Sequence, residues 1–68
     1  MSLSNYEFNE LEYLLGKSRA ENLSSDEELK LRELISIEQP SAEDNSLDEL
    51  IKIGLVLVGI YLLAKLLE

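Results

Sequence analysis

The sequence predicts an all-α protein in which an acidic amphipathic helical hairpin is followed by a single C-terminal transmembrane helix. Apolar residues recur at helical spacing through residues 5–37, a polar stretch follows, and residues 50–67 are almost entirely apolar. Three predicted helices each begin at a serine that precedes a glutamate by three positions. The chain therefore divides into a hairpin (1–37), a polar hinge (38–45) and a C-terminal helix (46–68).

The first predicted helix covers about residues 5–15. Ser4 and Glu7 fit a capping box, in which the serine hydroxyl accepts from the Glu7 backbone N–H and the Glu7 carboxylate accepts from the Ser4 backbone N–H. Gly16 favours an end at that point. Residues 17–22 contain no strong helix breaker, so the pattern also allows a longer helix.

The second predicted helix covers about residues 25–37. Ser24 and Glu27 form another capping box, and acidic residues at 26–28 complement the positive end of the helix dipole. Glu28 and Arg32 stand four residues apart in the order that favours an ion pair along a helix. Pro40 disfavours continuation, so the helix is expected to end before it.

Each of these two helices carries a single apolar stripe, and the joint between them is short. This pattern predicts an αα-hairpin that buries the two stripes against each other. The residues predicted to pack in the hairpin are Phe8, Leu11, Leu15, Leu31, Leu34 and Ile35. Because such a core is thin, we expect the hairpin to rest on lipid headgroups, on a copy of itself or on a partner.

The last helix is predicted to start at Ser46, which forms a third capping box with Glu49, and to span a membrane over about residues 50–67. A helix that is apolar on every face needs an apolar environment, and a chain of 68 residues is too short to enclose it. The 18 residues of the span rise ~27 Å, which suits a thin bilayer. The residues predicted to mark the span are Leu50, Ile53, Leu57, Ile60, Leu63 and Leu67.

Lys52, Tyr61 and Lys65 are predicted to mark the membrane boundary. Lysine can lay its methylenes along apolar surface while its ammonium reaches the headgroups, and tyrosine is enriched at that level. The run without charge between the two lysines has only 12 residues. A run of that length also fits a helix buried in a soluble helical oligomer, which is the alternative interpretation.

Composition excludes several kinds of site. The chain contains no cysteine and no histidine, so disulfides, thiolate nucleophiles and the usual zinc ligands are absent from the sequence. Many carboxylates are present, but a two-helix hairpin offers no pocket that would separate their pKa values for acid–base work. We therefore expect no enzyme activity, no metal and no cofactor.

Charge is distributed unevenly along the chain. Residues 1–49 carry 13 acidic and four basic side chains, a net charge of −9, whereas residues 50–68 carry a net charge of +1. This distribution argues against nucleic acid and against docking on anionic lipid. It favours basic protein surfaces as partners, or serves solubility.

Together these patterns favour a non-catalytic structural or accessory subunit of a larger membrane assembly, either a membrane complex or a membrane-containing virion. Its expected partners are the lipid bilayer and proteins of that assembly, including copies of itself. The hairpin is expected on the cytoplasmic or virion-interior side, because residues 1–49 carry 17 charges and lack an export signal. The alternatives are a holin-like or toxin-like effector, which the acidic flank disfavours, and a soluble oligomerisation module.

Overall fold

The computed structural model describes residues 3–68 and confirms the all-α fold class. Three α-helices follow one another: α1 (Asn5–Ala20), α2 (Ser25–Glu38) and α3 (Leu47–Leu66). A short 3-10 helix, Pro40–Asp44, lies between α2 and α3. No strand occurs within residues 3–68. The first two residues of the predicted hairpin region lie outside the described residues.

The first two helices begin with the predicted capping boxes. The Ser4 hydroxyl accepts from the Glu7 backbone N–H at 3.1 Å, and the Ser4 N–H donates to the Glu7 carboxylate at 2.9 Å. Ser24 and Glu27 repeat the arrangement at 3.2 and 2.9 Å. Each box satisfies backbone N–H groups that the helix itself cannot, which sets the start of α1 and of α2.

Helix α1 takes the longer of its two predicted forms and continues through Gly16 to Ala20. No glycine among the described residues has a positive φ, so Gly16 does not provide the left-handed conformation of a helix stop. The helix ends where the backbone becomes extended at Glu21, whose N–H still donates to the Lys17 carbonyl at 2.9 Å. The extra turn carries Lys17 to the start of α2.

α1 and α2 pack antiparallel as a hairpin. At one end Lys17 Nζ lies 2.5 Å from Glu27 Oε2, and at the other the Leu3 N–H donates to Glu38 Oε1 at 2.8 Å. Between them Lys30 Nζ lies 3.7 Å from Glu10 Oε1. All of the residues predicted to pack in the hairpin are buried: Phe8, Leu11, Leu15, Leu31, Leu34 and Ile35.

The stretch predicted as a polar hinge is the 3-10 helix, and it packs on α2. Arg32 Nη1 donates to the backbone carbonyls of Glu43, at 2.8 Å, and Asn45, at 2.6 Å. Ala42 is fully buried. The connection thus turns back along α2, so that α3 starts beside the middle of that helix. Among the described residues the predicted Glu28–Arg32 ion pair is not formed, because Arg32 binds this connection instead.

Helix α3 packs against both helices of the hairpin through one face. Its N-cap is Ser46, whose hydroxyl accepts from the Glu49 backbone N–H at 3.4 Å. Only this half of the third capping box forms in the described part of the chain, and the Glu49 carboxylate lies 3.8 Å from Lys52 Nζ. The residues that α3 buries are Leu50, Gly54, Leu57 and Val58.

The transmembrane part of the predicted fold is not supported. Within residues 3–68, no helix combines the length and the apolar character that crossing a bilayer requires. The prediction treated residues 50–67 as uniformly surrounded by lipid. In the structure α1 and α2 cover one side of that stretch, and charged residues occupy the first turns and the last turn of α3.

Candidate interaction surface

Helix α3 has an inner face against the hairpin and an outer face turned away from it. The inner face comprises Leu50, Gly54, Leu57 and Val58, with Tyr61 half-buried at its end. The outer face follows the opposite side of the helix at spacings of four and three residues. We define it by Lys52, Val56, Gly59, Leu63 and Leu66, all of which are exposed.

The inner face depends on a close approach at Gly54. A Cβ atom at this position would lie 3.0 Å from Leu15 Cδ2 on α1 and 3.3 Å from Ile35 Cδ1 on α2. Both of those side chains are buried. The absent side chain of Gly54 therefore lets α3 contact α1 and α2 at the same level, which fixes the rotation of α3 and so selects the outer face.

The C-terminal half of α3 is fixed by Tyr61. Its ring stacks on Phe8 with a centroid distance of 4.1 Å and an interplanar angle of 8°, and its hydroxyl donates to Asn5 Oδ1 at 2.8 Å. Lys65 Nζ lies 5.2 Å from the centroid of the Tyr61 ring. Of the residues predicted at a membrane boundary, Tyr61 thus contacts α1, Lys65 contacts Tyr61, and Lys52 is exposed beside Glu49.

The residues predicted to mark a membrane span fall into two groups. Leu50 and Leu57 are buried on the inner face, and Ile53 is half-buried at its edge. Ile60, Leu63 and Leu67 are exposed. The structure therefore assigns half of the set to the protein core and leaves the other half open.

Beyond Lys52, the outer face and its flanks carry exposed aliphatic side chains along the rest of α3. Val56 and Leu63 are 60% and 59% exposed, and Leu66 is 82% exposed. The large apolar side chains that α3 leaves exposed are Leu55, Val56, Ile60, Leu62, Leu63, Leu66 and Leu67. Single exposed apolar residues are ordinary on protein surfaces, but an unbroken stripe of them is typical of an interaction site.

The exposed aliphatic residues that the structure describes on the hairpin, Leu29 and Ile37, do not form such a surface. Leu29 and Ile37 flank a shallow groove on α2 whose other lining residues are Arg32, Glu33, Ser36 and Glu43. The Ser36 hydroxyl is buried there and has no hydrogen-bond partner within residues 3–68. Because charged side chains interrupt this groove, the outer face of α3 is the stronger candidate.

The charged groups lie at the ends of the outer face or away from it. No side chain between Lys52 and Lys65 is charged, so the centre of the surface is electrically neutral. The best-defined ion pair in the described chain joins α1 to α2. There the hydrogen bond from Lys17 holds the pKa of the Glu27 carboxyl below its usual value, and the Ser24 N–H adds to the effect. The same contact raises the pKa of Lys17.

Acidic side chains in the described part of the chain do not form a metal site. No group of three or more of them within residues 3–68 is arranged to hold an ion. The acidic side chains lie mostly on exposed surface.

Five residues of the two faces were not predicted as site residues: Gly54, Val56, Val58, Gly59 and Leu66. The signal for Val56 and Leu66 was present, because residues 52, 56, 59, 63 and 66 repeat at alternating spacings of four and three. It was hidden by the equally apolar residues on every other side of α3. The different roles of the two glycines have no local signal, since they depend on what α1 and α2 place beside them.

The comparison with known proteins identifies no relative of this chain. No family model, curated protein or solved structure matches the chain. The outer face of α3 is accordingly the feature from which a function is inferred.

Proposed function

We propose that this chain is a non-catalytic structural or accessory subunit that joins a larger assembly through the outer face of α3. The observation that carries the proposal is the aliphatic stripe left open on a helix whose opposite face is already packed. Such stripes are uncommon on monomers that have no partner. The subunit contributes contact surface to the assembly and performs no chemistry.

The exposed part of the stripe contributes free energy only when a partner covers it. Fully burying an aliphatic side chain is worth about 1.5–3 kcal/mol. Val56, Ile60 and Leu63 are each at least half exposed, so covering each would give on the order of 1 kcal/mol. These contributions, with those of Leu66 and the flanks, can drive association despite its entropic cost.

A protein partner fits this surface better than a lipid surface does. Residues 1–49 carry a net charge of −9, which an anionic membrane surface repels. Within the described residues, Lys52 is the one basic group on the outer face. An amphipathic helix that lies on a membrane usually carries many lysines and arginines on its polar side.

Attachment to a membrane is the second candidate, favoured by the two lysines at either end of the uncharged stretch. In this form α3 would leave the hairpin and residues 50–67 would enter the bilayer, with the hairpin on the cytoplasmic or virion-interior side. Tyr61 would give up its stack on Phe8, and Leu15 would lose its contact with Gly54. The lost packing is the reason for placing this candidate second.

The experiment that tests the proposal is site-specific photo-crosslinking in the cells that produce the protein. A photoreactive amino acid replaces Leu63 on the outer face or, as a matched control, Leu29 on α2. The two side chains are 59% and 58% exposed, so exposure alone does not distinguish them. We expect protein adducts from position 63 and far fewer from position 29.

Two results would contradict the proposal. One is equal adduct formation at the two positions, and the other is the absence of any adduct at position 63 in folded protein. Lipid adducts at position 63, together with resistance of the protein to a carbonate wash, would replace the protein partner by the membrane candidate. Release of dye from vesicles by the purified chain would support an effector instead.

A further inference from the structure

We infer that the outer face binds a second copy of this chain. The two α3 helices pack antiparallel through their outer faces, and the two-fold axis between them passes at the level of residue 61. This inference rests on the proposed function, because it names the partner for the same face. It is carried by the spacing of the residues on that face, by their sizes and by the charges at its ends.

The spacing is that of one seam of a coiled coil. Lys52, Val56, Gly59, Leu63 and Leu66 follow one another at intervals of four, three, four and three residues. Residues beside the seam are also apolar on both sides: Ile53, Ile60 and Leu67 on one, Leu55 and Leu62 on the other. A partner helix that follows the same seam would therefore meet apolar side chains across its whole width.

The sizes of the seam residues fit each other when the second helix runs in the opposite direction. With the axis at the level of residue 61, Leu63 of the second copy lies opposite Gly59, and Leu66 of the second copy lies opposite Val56. A Cβ atom at Gly59 would meet nothing within 4 Å in the single chain, so the space above it is open to a side chain from outside. Each of the smaller seam residues, Gly59 and Val56, thus lies opposite a leucine that can fill the space beside it.

The charges at the ends of the seam select the same direction. In a parallel pair Lys52 would face Lys52 and Glu49 would face Glu49 of the second copy, which is unfavourable. In the antiparallel pair Lys52 lies just beyond the C-terminal end of α3 of the second copy, where the negative end of the helix dipole favours a cation. The acidic first turns of the two α3 helices are then at opposite ends, and the helix dipoles oppose each other.

The size of the surface sets the expected strength. The large apolar side chains that α3 leaves exposed number seven, whereas a standard interface uses roughly 20–30 residues from each partner. The copies also repel each other, because each carries a net charge of −8. We therefore expect a reversible dimer that forms over the micromolar range and strengthens with added salt.

Sedimentation velocity on the full chain tests the association. The wild-type mass is expected to double with rising concentration, and Leu63→Glu is expected to stay a monomer with unchanged helical circular dichroism. Leu29→Glu is the matched control and should dimerise as the wild type does. A wild-type chain that stays monomeric up to millimolar concentration would overturn the inference, and so would a Leu63→Glu variant that dimerises normally.

Disulfide formation tests the relative direction of the two α3 helices and needs no charged substitution. The chain has no cysteine of its own, so introduced cysteines react only with each other. Val56→Cys and Leu66→Cys proteins are oxidised separately and as a mixture, and the products are identified by mass. The antiparallel pair predicts mixed disulfides only, because equivalent positions lie ~15 Å apart along the helix axis and a disulfide needs Cβ atoms about 3.5–4.5 Å apart. A predominance of disulfides between identical variants would overturn the antiparallel arrangement.

Failure of this inference differs from failure of the proposed function. If the chain is monomeric while position 63 cross-links to a different protein in cells, the second copy is wrong and the role of the face stands. If the monomer instead floats with vesicles of neutral lipid through α3, the second copy is wrong and lipid covers the face. If positions 63 and 29 behave alike in cells, the proposed function itself is wrong.

Discussion

On its inner face, α3 presents Leu50, Gly54 and Leu57 to α1 and α2, whereas on its outer face it presents Val56, Gly59 and Leu63 to the surroundings. Apart from Lys52 on the outer face, both faces consist of leucine, valine and glycine. They differ in what they contact, because α1 and α2 cover only the inner face. Apolar composition therefore indicates that a helix needs an apolar environment. Only the packing shows which part of that environment the chain itself provides.

The largest expected difference between the faces is the response to losing a leucine. Leu50 is fully buried, so Leu50→Ala should lower the free energy of unfolding by about 2–5 kcal/mol through lost burial and the cavity left behind. Leu63→Ala on the outer face should change it by about 0.5 kcal/mol or less. Urea denaturation at a concentration where the chain is monomeric measures both. Equal losses would mean that α3 does not dock through its inner face.

The next effect concerns the connection that directs α3 onto the hairpin. Arg32→Met removes the donor from the carbonyls of Glu43 and Asn45 and should lower the free energy of unfolding by about 1–2 kcal/mol. Arg19→Met is the control, because Arg19 is exposed on α1, and it should have little effect. Amide hydrogen exchange should also show faster exchange in residues 40–45 of the Arg32 variant. Unchanged exchange there would indicate that Arg32 does not hold the connection.

The glycines give a smaller and more direct comparison of the two faces. Gly59→Ala adds a methyl group in open space and improves helix propensity, so it should stabilise the monomer by up to about 1 kcal/mol. Gly54→Ala brings the same gain in helix propensity, but its methyl group would press against Leu15 and Ile35, which are buried. We expect Gly54→Ala to be less stable than Gly59→Ala by about 1–2 kcal/mol in thermal unfolding. Similar stabilities would show that the inner face is loosely packed.

The smallest expected effect is a dependence of stability on pH. It should come from the ion pair between Lys17 and Glu27 on the hairpin, whereas the apolar contact of α3 should not depend on pH. The pKa of Glu27 is lowered in the folded chain by Lys17, so the contact stabilises the fold above the usual pKa of 4.5 and is lost as the pH falls through the lowered value. Glu27→Gln keeps a residue suited to the capping box but removes the charge. The variant should melt below the wild type at pH 7, and the two should converge as the pH falls below the lowered pKa of Glu27. A gap that persists in acid would show that the ion pair is not its cause.

Local patterns in the sequence predicted most of the hairpin. The pairs Ser4–Glu7 and Ser24–Glu27 marked the starts of α1 and α2 because a capping box is a contact between residues three apart. The end of α1 was harder to predict, because Gly16 can stop a helix or continue one. Its extension is accompanied by the contact from Lys17 to Glu27 on the next helix, which has no local signature.

The arrangement of α3 could not be predicted in the same way. Its docking depends on a glycine that lets Leu15 and Ile35 approach, and on an arginine that bonds to the backbone 11 and 13 residues further on. These contacts are tertiary, so a scan of local periodicity does not detect them. The periodicity of the outer face was present in the sequence, but only the packing of the inner face distinguishes it from the other apolar sides of the helix.

The stack of Tyr61 on Phe8 gives the molecule a built-in optical signal. The chain has three tyrosines and no tryptophan. Tyr6 and Tyr13 are mostly exposed, whereas the Tyr61 ring is stacked on a second aromatic ring at a centroid distance of 4.1 Å. Near-ultraviolet circular dichroism at the tyrosine band should therefore arise mainly from Tyr61. Loss of that band while the helical signal remains would report α3 leaving the hairpin, without any added label.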